Sequence, residues 1–500
     1  MPKLTRLFPF VACLLAVSHA AHGDGGVSYI ETAVGPIIAG ETPGTLKVSA
    51  DSYHVAYRVR QGDEWLVVVD GNFGPLYDDV EADTPLFSPD GSRVAYAAKQ
   101  GGQWMLVVNG QRGSSTCDRV KDDTVRFSPN SRRIAYVAFR GGQEFAVVDN
   151  VPGQPCDGTA DRSLTFSPDS RRVSYIARRG DKWFVVLDGD FGPPCDAINL
   201  GSPVFSPDGM HFAYGFKRDD KWFVAVDGTV GPACDGIGEN TPVFSPDSAH
   251  VAYSAGQNKK TFIMRDGKRD PDFDGLGASG PHFSPDSQHL AYFARLGDQW
   301  QVVSDGKPGP TYNGVAGLTY SPDSTRLAYA AQDGDKYMMV VDGAPGTAYD
   351  GVGAPAFSPD GRHLGYYAKQ NGQWLAVIDG KAGPPYDGIG ARGVVFSPDS
   401  QRTAYLGRRG AQWVAVIDGT ASLPCDGFTE VVFSPDSRHV AFTAKQGLKW
   451  MISVDDTPTS LFDGIVKASH LVFDDPAHLH ALILRNGRIH RIQATIVTKP

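Results

Sequence analysis

Residues 205–243 read FSPDGMHFAYGFKRDDKWFVAVDGTVGPACDGIGENTPV, and this unit decides the fold. A short apolar segment ends at Phe205. Ser206-Pro207-Asp208-Gly209 has the composition of a tight turn, because proline presets φ and aspartate bonds to nearby backbone. His211 to Phe216 and Trp222 to Val226 are rich in aromatic and β-branched residues, which predicts two strands. Asp227-Gly228 is a strong hairpin signal, and a last strand is expected around Ala233 to Ile237. The unit therefore predicts four short antiparallel strands, a to d.

The unit recurs. Phe-Ser-Pro-Asp or a close variant begins at Phe87, Phe127, Phe166, Phe205, Phe244, Phe283, Tyr320, Phe357, Phe396 and Phe433, with degenerate copies at Val48 and Phe473. Four strands repeated every ~40 residues are the signature of a β-propeller blade. Composition agrees: 58 glycines and 35 prolines in 500 residues imply many turns and exclude a helical bundle. The pattern FSPDS-R-x-V-A-Y followed by W-x-V-x-V-D-G resembles the TolB-like, WD-repeat-like propeller blade over nearly the whole chain. The resemblance implies the propeller fold and a role in the cell envelope. In that family a small α/β domain precedes one six-bladed propeller, whereas this chain carries twice as many blades and no such domain.

The two ends share a blade. Gly35-Pro36 stands before Val48 as Gly231-Pro232 stands before Phe244, so residues 27–40 read as a stray c–d segment. Phe473 to Val497 supplies segments like a, b and c. Pairing them covers edges that would otherwise be open and brings the total to about twelve four-stranded blades. The spacing shortens from 39 to 37 residues after Phe283, which favours two six-bladed propellers over residues 24–282 and 283–500. One large ring is the alternative.

Lys3, Arg6, the apolar run from Leu7 to Val17 and small residues at Ser18, Ala20 and Gly23 read as a secretory signal peptide over residues 1–23. No later stretch approaches the ~20 apolar residues of a membrane span, so an exported protein, periplasmic or secreted, is expected. Without Lys3 and Arg6, 45 basic residues face 56 acidic ones, a net charge of −11. That balance argues against nucleic acid as a partner, because counterion release needs a basic footprint.

Several repeated positions invite a functional reading. The eight tryptophans (Trp65, Trp104, Trp183, Trp222, Trp300, Trp374, Trp413 and Trp450) start strand c, with Phe145, Phe262 and Tyr337 read as their substitutes. A glycan platform is one reading, and a wedge between blades, where aromatic burial contributes most, is the favoured one. His54, His211, His250, His289, His363 and His439 share a position with Arg93, Arg133, Arg172, Arg326 and Arg402. Arginine ligates no metal, so the position reads as a donor to the Ser-Pro-Asp turn. His478 and His480 alone have metal-like spacing, close to Asp474 and Asp475, and no cofactor is expected. Cys117, Cys156, Cys195, Cys234 and Cys425 lie on outer strands too far apart for a disulfide ladder.

No Gly-x-Ser-x-Gly elbow occurs, and strand a is mainly apolar, with Arg126 and His282 the polar exceptions. Nothing pairs carboxylates for acid–base catalysis, and no enzyme activity is expected. Function in a repeat protein lies where units differ. The d–a loops of early blades carry Asp122, Asp123, Asp161, Arg162 and Glu239, and the b–c loops carry Arg178, Arg179, Lys217 and Arg218. These residues, with Arg126 and His282, form the candidate surface for a protein or peptide partner; a small-molecule or glycan ligand is the alternative.

Overall fold

A computed structural model describes residues 21–22, 26–36 and 45–497. The expected signal segment lies outside them apart from Ala21 and His22, which pair with Tyr29 and Ser28, and so do residues 37–40 of the closing segment. Every regular element among the described residues is a strand.

The fifth blade shows the plan. Its strand b, Phe212–Arg218, pairs on one side with strand c, Lys221–Val226, and on the other with two short pieces of strand a, Ala197–Ile198 and Val204–Phe205. Strand d opens as Thr229–Val230 and ends at a bridge between Trp222 and Cys234. Strand d thus lies earlier than the sequence reading placed it. Gly236–Ile237, expected at its end, opens strand a of blade six, pairing with Gly256 and Ala255. Gly231 already donates to Val224 O at 2.9 Å, so the outer strand is in register before Pro232, and the chain turns inward at Asp235.

The turns obey the expected chemistry and add contacts between blades. Asp227 and Gly228 both have positive φ, 49° and 80°, as a type I′ hairpin turn requires. The Asp227 carboxylate accepts the Phe212 N–H at 2.9 Å, which ties the c–d turn to the start of strand b. In the a–b turn, Ser206 Oγ donates to Asp208 Oδ1 at 2.5 Å and accepts the His211 N–H at 2.9 Å. The Asp208 N–H donates to Ser248 Oγ of the next blade at 3.0 Å, so each serine-containing turn also fastens its neighbour.

These fastenings run unbroken past residue 283. Across blades six and seven, Ala252, Ile263 and Phe273 pack on Leu290, Tyr292 and Ala294, and the Asp247 N–H reaches Ser287 Oγ at 2.9 Å. At the ends, Val34, Leu482 and Ile489 of the last blade pack on Val55 of the first, and the His470 N–H reaches Ser52 Oγ at 3.0 Å. Twelve blades therefore form one ring. The division into two six-bladed propellers does not hold, because it needs blade six to face blade one and the packing at residue 283 to be missing.

The last blade is shared as expected, with one change. Val27–Pro36 pairs along Arg488–Ile496 and supplies strand d alone, while the C-terminal segment supplies a, b and c. With sheets packed face to face at ~10 Å and a 30° rotation per blade, the innermost strands enclose a channel roughly 30–40 Å across.

Candidate binding surface on the channel wall

Positions shared by all blades turn out to be scaffold. The tryptophans lie opposite the last residue of strand d, none of them exposed, and pack against the neighbouring blade, as Trp450 does on blade twelve. The register corrects two of the expected substitutes: Tyr337 does occupy the tryptophan position, but Glu144 and Thr261 do so rather than Phe145 and Phe262. The His/Arg position also differs from expectation. Both types bond the aspartate of the c–d turn, as His211 does with Asp227 at 2.7 Å and Arg133 with Asp149 at 2.8 Å. Only arginine reaches an a–b turn, and it is the next blade's: Arg133 Nη1 donates to Ser170 O and Arg171 O. Rings follow the same path, with His211 stacked on Phe244 and Arg133 over Phe166 of the following blade.

One recurrent residue went unread in the sequence. The aspartate after the Cys or Tyr on strand d, replaced by Asn313 after Tyr312, bonds the b–c turn of the next blade: Asp157 accepts from the Gly180 N–H at 2.7 Å and Asp196 from the Asp219 N–H at 3.1 Å, while Asp196 also takes Lys182 of its own blade at 2.6 Å. Its recurrence at one place in the unit was the available signal. The five cysteines among the described residues are buried and free, and burial raises their thiol pKa values.

The acidic segments are not loops between strands d and a. They are bulges inside the innermost strand. In blade three, Arg119–Val120 pairs with Phe139 and Ala138, and Arg126–Phe127 with Ala135 and Ile134, leaving residues 121–125 arched between them. The Thr124 hydroxyl donates to Lys121 O at 2.6 Å and accepts the Val137 N–H at 3.1 Å, which fixes the arch. This places the variable charges on the wall of the channel.

There the structure joins three of the predicted residues, Asp123, Arg126 and Arg162, and gives Asp122 and Asp161 cationic partners of their own close by. Asp122 pairs with Arg119 at 2.5 Å. Asp123 takes Arg162 of the next blade at 3.1 Å and Arg126 at 3.3 Å. Asp161 meets Lys121 at 3.3 Å, and Lys121 also bonds Thr159 O at 2.7 Å and Glu144 at 3.3 Å. Burial, with Asp122 adding to it, holds the Glu81 carboxyl above the ordinary carboxylate range. Glu239 stands exposed on the bulge of blade six, and His282 lies on strand a of blade seven with Nε2 buried and unpartnered. Burial lowers the His282 pKa.

The b–c residues are not brought to this network. Arg179 lies 3.5 Å over the Phe191 ring and donates to Pro155 O at 3.0 Å, clamping two outer strands. Lys217 pairs with Asp220 at 2.9 Å, Arg218 lies over Phe216 and Phe223, and Arg178 is exposed at the end of strand b. The two tail histidines are likewise engaged: His478 bonds Asp475 at 2.8 Å, and His480 bonds Asp474 at 2.9 Å and Asp51 O at 2.7 Å across the ring closure. Among the described residues no group of three or more potential ligands could hold a metal.

Cavities open between adjacent inner strands: one of about 530 Å³ over blades one to three is lined by Glu81, Asp83, Asp123 and Arg126, and two others lie half a ring apart. The first of these two, about 640 Å³ between blades four and five, is lined by Asp161, Arg162, Trp183, Ile198, Leu200 and Pro203. Leu200 is 69% exposed there. The second, about 250 Å³, lies between blades ten and eleven. Between blades three and four Glu144 bonds across the corresponding gap, accepting from the Thr159 N–H at 2.8 Å and its hydroxyl at 2.6 Å.

Strand order and ring closure define the chain as an all-β propeller. No known sequence family matches it, and neither does any curated protein. Among solved structures it is similar to a eukaryotic initiation factor, at 14% identity over 67% of this chain and 94% of that one with a TM-score of 0.35. TolB from Acinetobacter baumannii is similar at 14% over 71% and 78%, with a TM-score of 0.23. A GH74 enzyme from Niastella koreensis is similar at 13% over 91% and 92%, with a TM-score of 0.23. Likeness at these identities concerns the fold alone. No helix among the described residues is long and apolar enough to cross a membrane.

Proposed function

We propose that the chain is an exported, non-catalytic scaffold of TolB-like blades whose channel wall binds a segment of a protein or peptide partner. One observation carries the reading: the residues that differ from blade to blade gather on the inner bulges, where exposed Leu200 stands beside Asp161 and Arg162. An apolar anchor within a charged rim is the usual anatomy of a protein interface. Asp122, Asp123, Arg126, Glu239 and His282 extend the surface along the wall, where Asp122 and Asp123 are paired with arginines. The glycan alternative is less favoured, since no tryptophan is exposed and the row packs between blades, with only Trp183 and Trp413 turned to the two cavities half a ring apart. Export rests on the signal-like residues 1–23.

A photo-crosslinking residue placed at Glu239 in the native exported fraction, with adducts identified by mass spectrometry, tests this. The adduct should form there, weaken with salt and with Arg162→Glu, and be absent when the crosslinker stands at outer-strand Leu423. Adducts from Leu423 alone, or an adduct indifferent to Arg162→Glu, count against it.

A further inference from the structure

We infer that the cavity between blades ten and eleven is a separate binding site for an apolar group carrying a single carboxylate. Leu406, Trp413, Phe428 and Val431 form apolar walls, Arg392 stands at the exposed mouth, and Glu430 lines the cavity from a buried position. Trp413 has the place that Trp183 has in the larger cavity, so both sites reuse the indole that elsewhere wedges blades together.

What distinguishes this gap is a buried charge. The Glu430 side chain is only 4% exposed. Blades eight and nine, whose strand a segments have the same length, carry Gly317 and Ala354 where Glu430 stands. Burying a carboxylate is costly unless it is paired and hydrogen-bonded, and Glu430 is both. Its Oε1 accepts the Leu471 N–H at 2.7 Å, and its Oε2 faces Arg392 Nη1 at 3.2 Å and His470 Nδ1 at 3.4 Å. Three successive blades are thus held around one carboxylate.

The consequence is a chemical preference. Both oxygens of Glu430 are engaged, whereas Arg392, with its side chain 54% exposed, keeps N–H groups in excess of those facing Glu430 and, at 3.5 Å, His470 Nδ1. What remains at the mouth is donors on a planar cation, the geometry that matches a carboxylate in a forked bond. Glu430 offsets most of the arginine charge, so the field suits a monoanion better than a doubly charged phosphate. The apolar walls then take the body of the ligand. That chemistry is met both by a free aromatic or branched acid and by the C-terminal residue of a peptide.

Calorimetric titration of the full-length protein with N-acetyl-L-phenylalanine, its amide, and a peptide ending in phenylalanine tests the site. The acid should bind, the amide should bind at least about tenfold more weakly, and Arg392→Gln should reduce acid binding by a similar factor. A change in tryptophan emission on binding should disappear in Trp413→Phe; Tyr337 shows that the position accepts a smaller aromatic. Tighter binding of the peptide assigns the carboxylate to a chain terminus, and tighter binding of the free acid assigns it to a small molecule. No binding at millimolar concentration, equal binding of acid and amide, or indifference to Arg392→Gln overturns the inference. Any of these leaves the partner surface at blades three to seven untouched, because the two sites share no residue.

Discussion

Replacing Glu144 by alanine probes the place where the repeat exchanges its tryptophan for a charge. Glu144 is largely buried, with 12% of its side chain exposed, and holds the Thr159 N–H, the Thr159 hydroxyl and Lys121. Its loss leaves a backbone donor without a partner in a residue only 7% exposed, and strips Lys121 of its buried counter-charge. An unsatisfied buried donor costs about 1–3 kcal/mol, and breaking a buried ion pair about 3–5 kcal/mol. Lys121 keeps Thr159 O and Asp161, so the lower end applies and the expected cost is about 3 kcal/mol. With an unfolding entropy of about 2.1 cal/mol/K per residue over about 470 folded residues, this lowers Tm by about 3 °C. Scanning calorimetry of Glu144→Ala, Lys121→Ala and the double variant measures it, and the two changes should be non-additive by about 1 kcal/mol or more. Asp161→Ala, whose carboxylate is 90% exposed, should cost well under about 1 kcal/mol. A Glu144→Ala protein within about 0.5 kcal/mol of the parent, or strictly additive variants, would refute the reasoning.

Two further outcomes follow from the turns and the outer strands. The hydrogen bond to Asp227 raises the His211 pKa, so that pair contributes stability below the unfolded histidine value and loses it as pH rises through the raised one. At the acid end the sign reverses: serine hydroxyls and backbone N–H groups hold Asp169, Asp208, Asp247 and Asp360 below the ordinary value, so their contribution is present above it and lost as pH falls. NMR titration should show the His211 pKa falling in Asp227→Asn, and an unmoved value would break the assignment. Burial pushes the Cys117 and Cys195 thiols up to about 11, so thiol reagents should react with the described cysteines only after unfolding. Fast labelling of the native protein would contradict that.

The blade and its count were legible because turn residues recur at fixed offsets, and Ser206-Pro207-Asp208 and Asp227-Gly228 do in the structure what their chemistry dictates. Registers within the shortest pieces were not. Phe145 attracts the eye as a tryptophan substitute, yet it lies one residue past the position, and a one-residue slip in a strand turns a side chain to the other face. The inner bulges were read as loops because a strand broken into two-residue pieces has no periodicity to detect. The single ring was hidden for another reason. A change in spacing after Phe283 marks shorter bulges, as in Gly314–Tyr320, and only contacts between blades tell that from a domain boundary. The charged pairs on the b–c turns misled because their partners, such as Phe191 for Arg179, lie on strands whose placement depends on the blade being assembled.

The claim that twelve blades surround one wide channel is tested most directly by electron microscopy of the purified protein in end-on view. The account predicts twelve spokes in a single closed disc around an opening roughly 30–40 Å across. Two six-spoked discs, or an arc open between Val55 and Leu482, would contradict it.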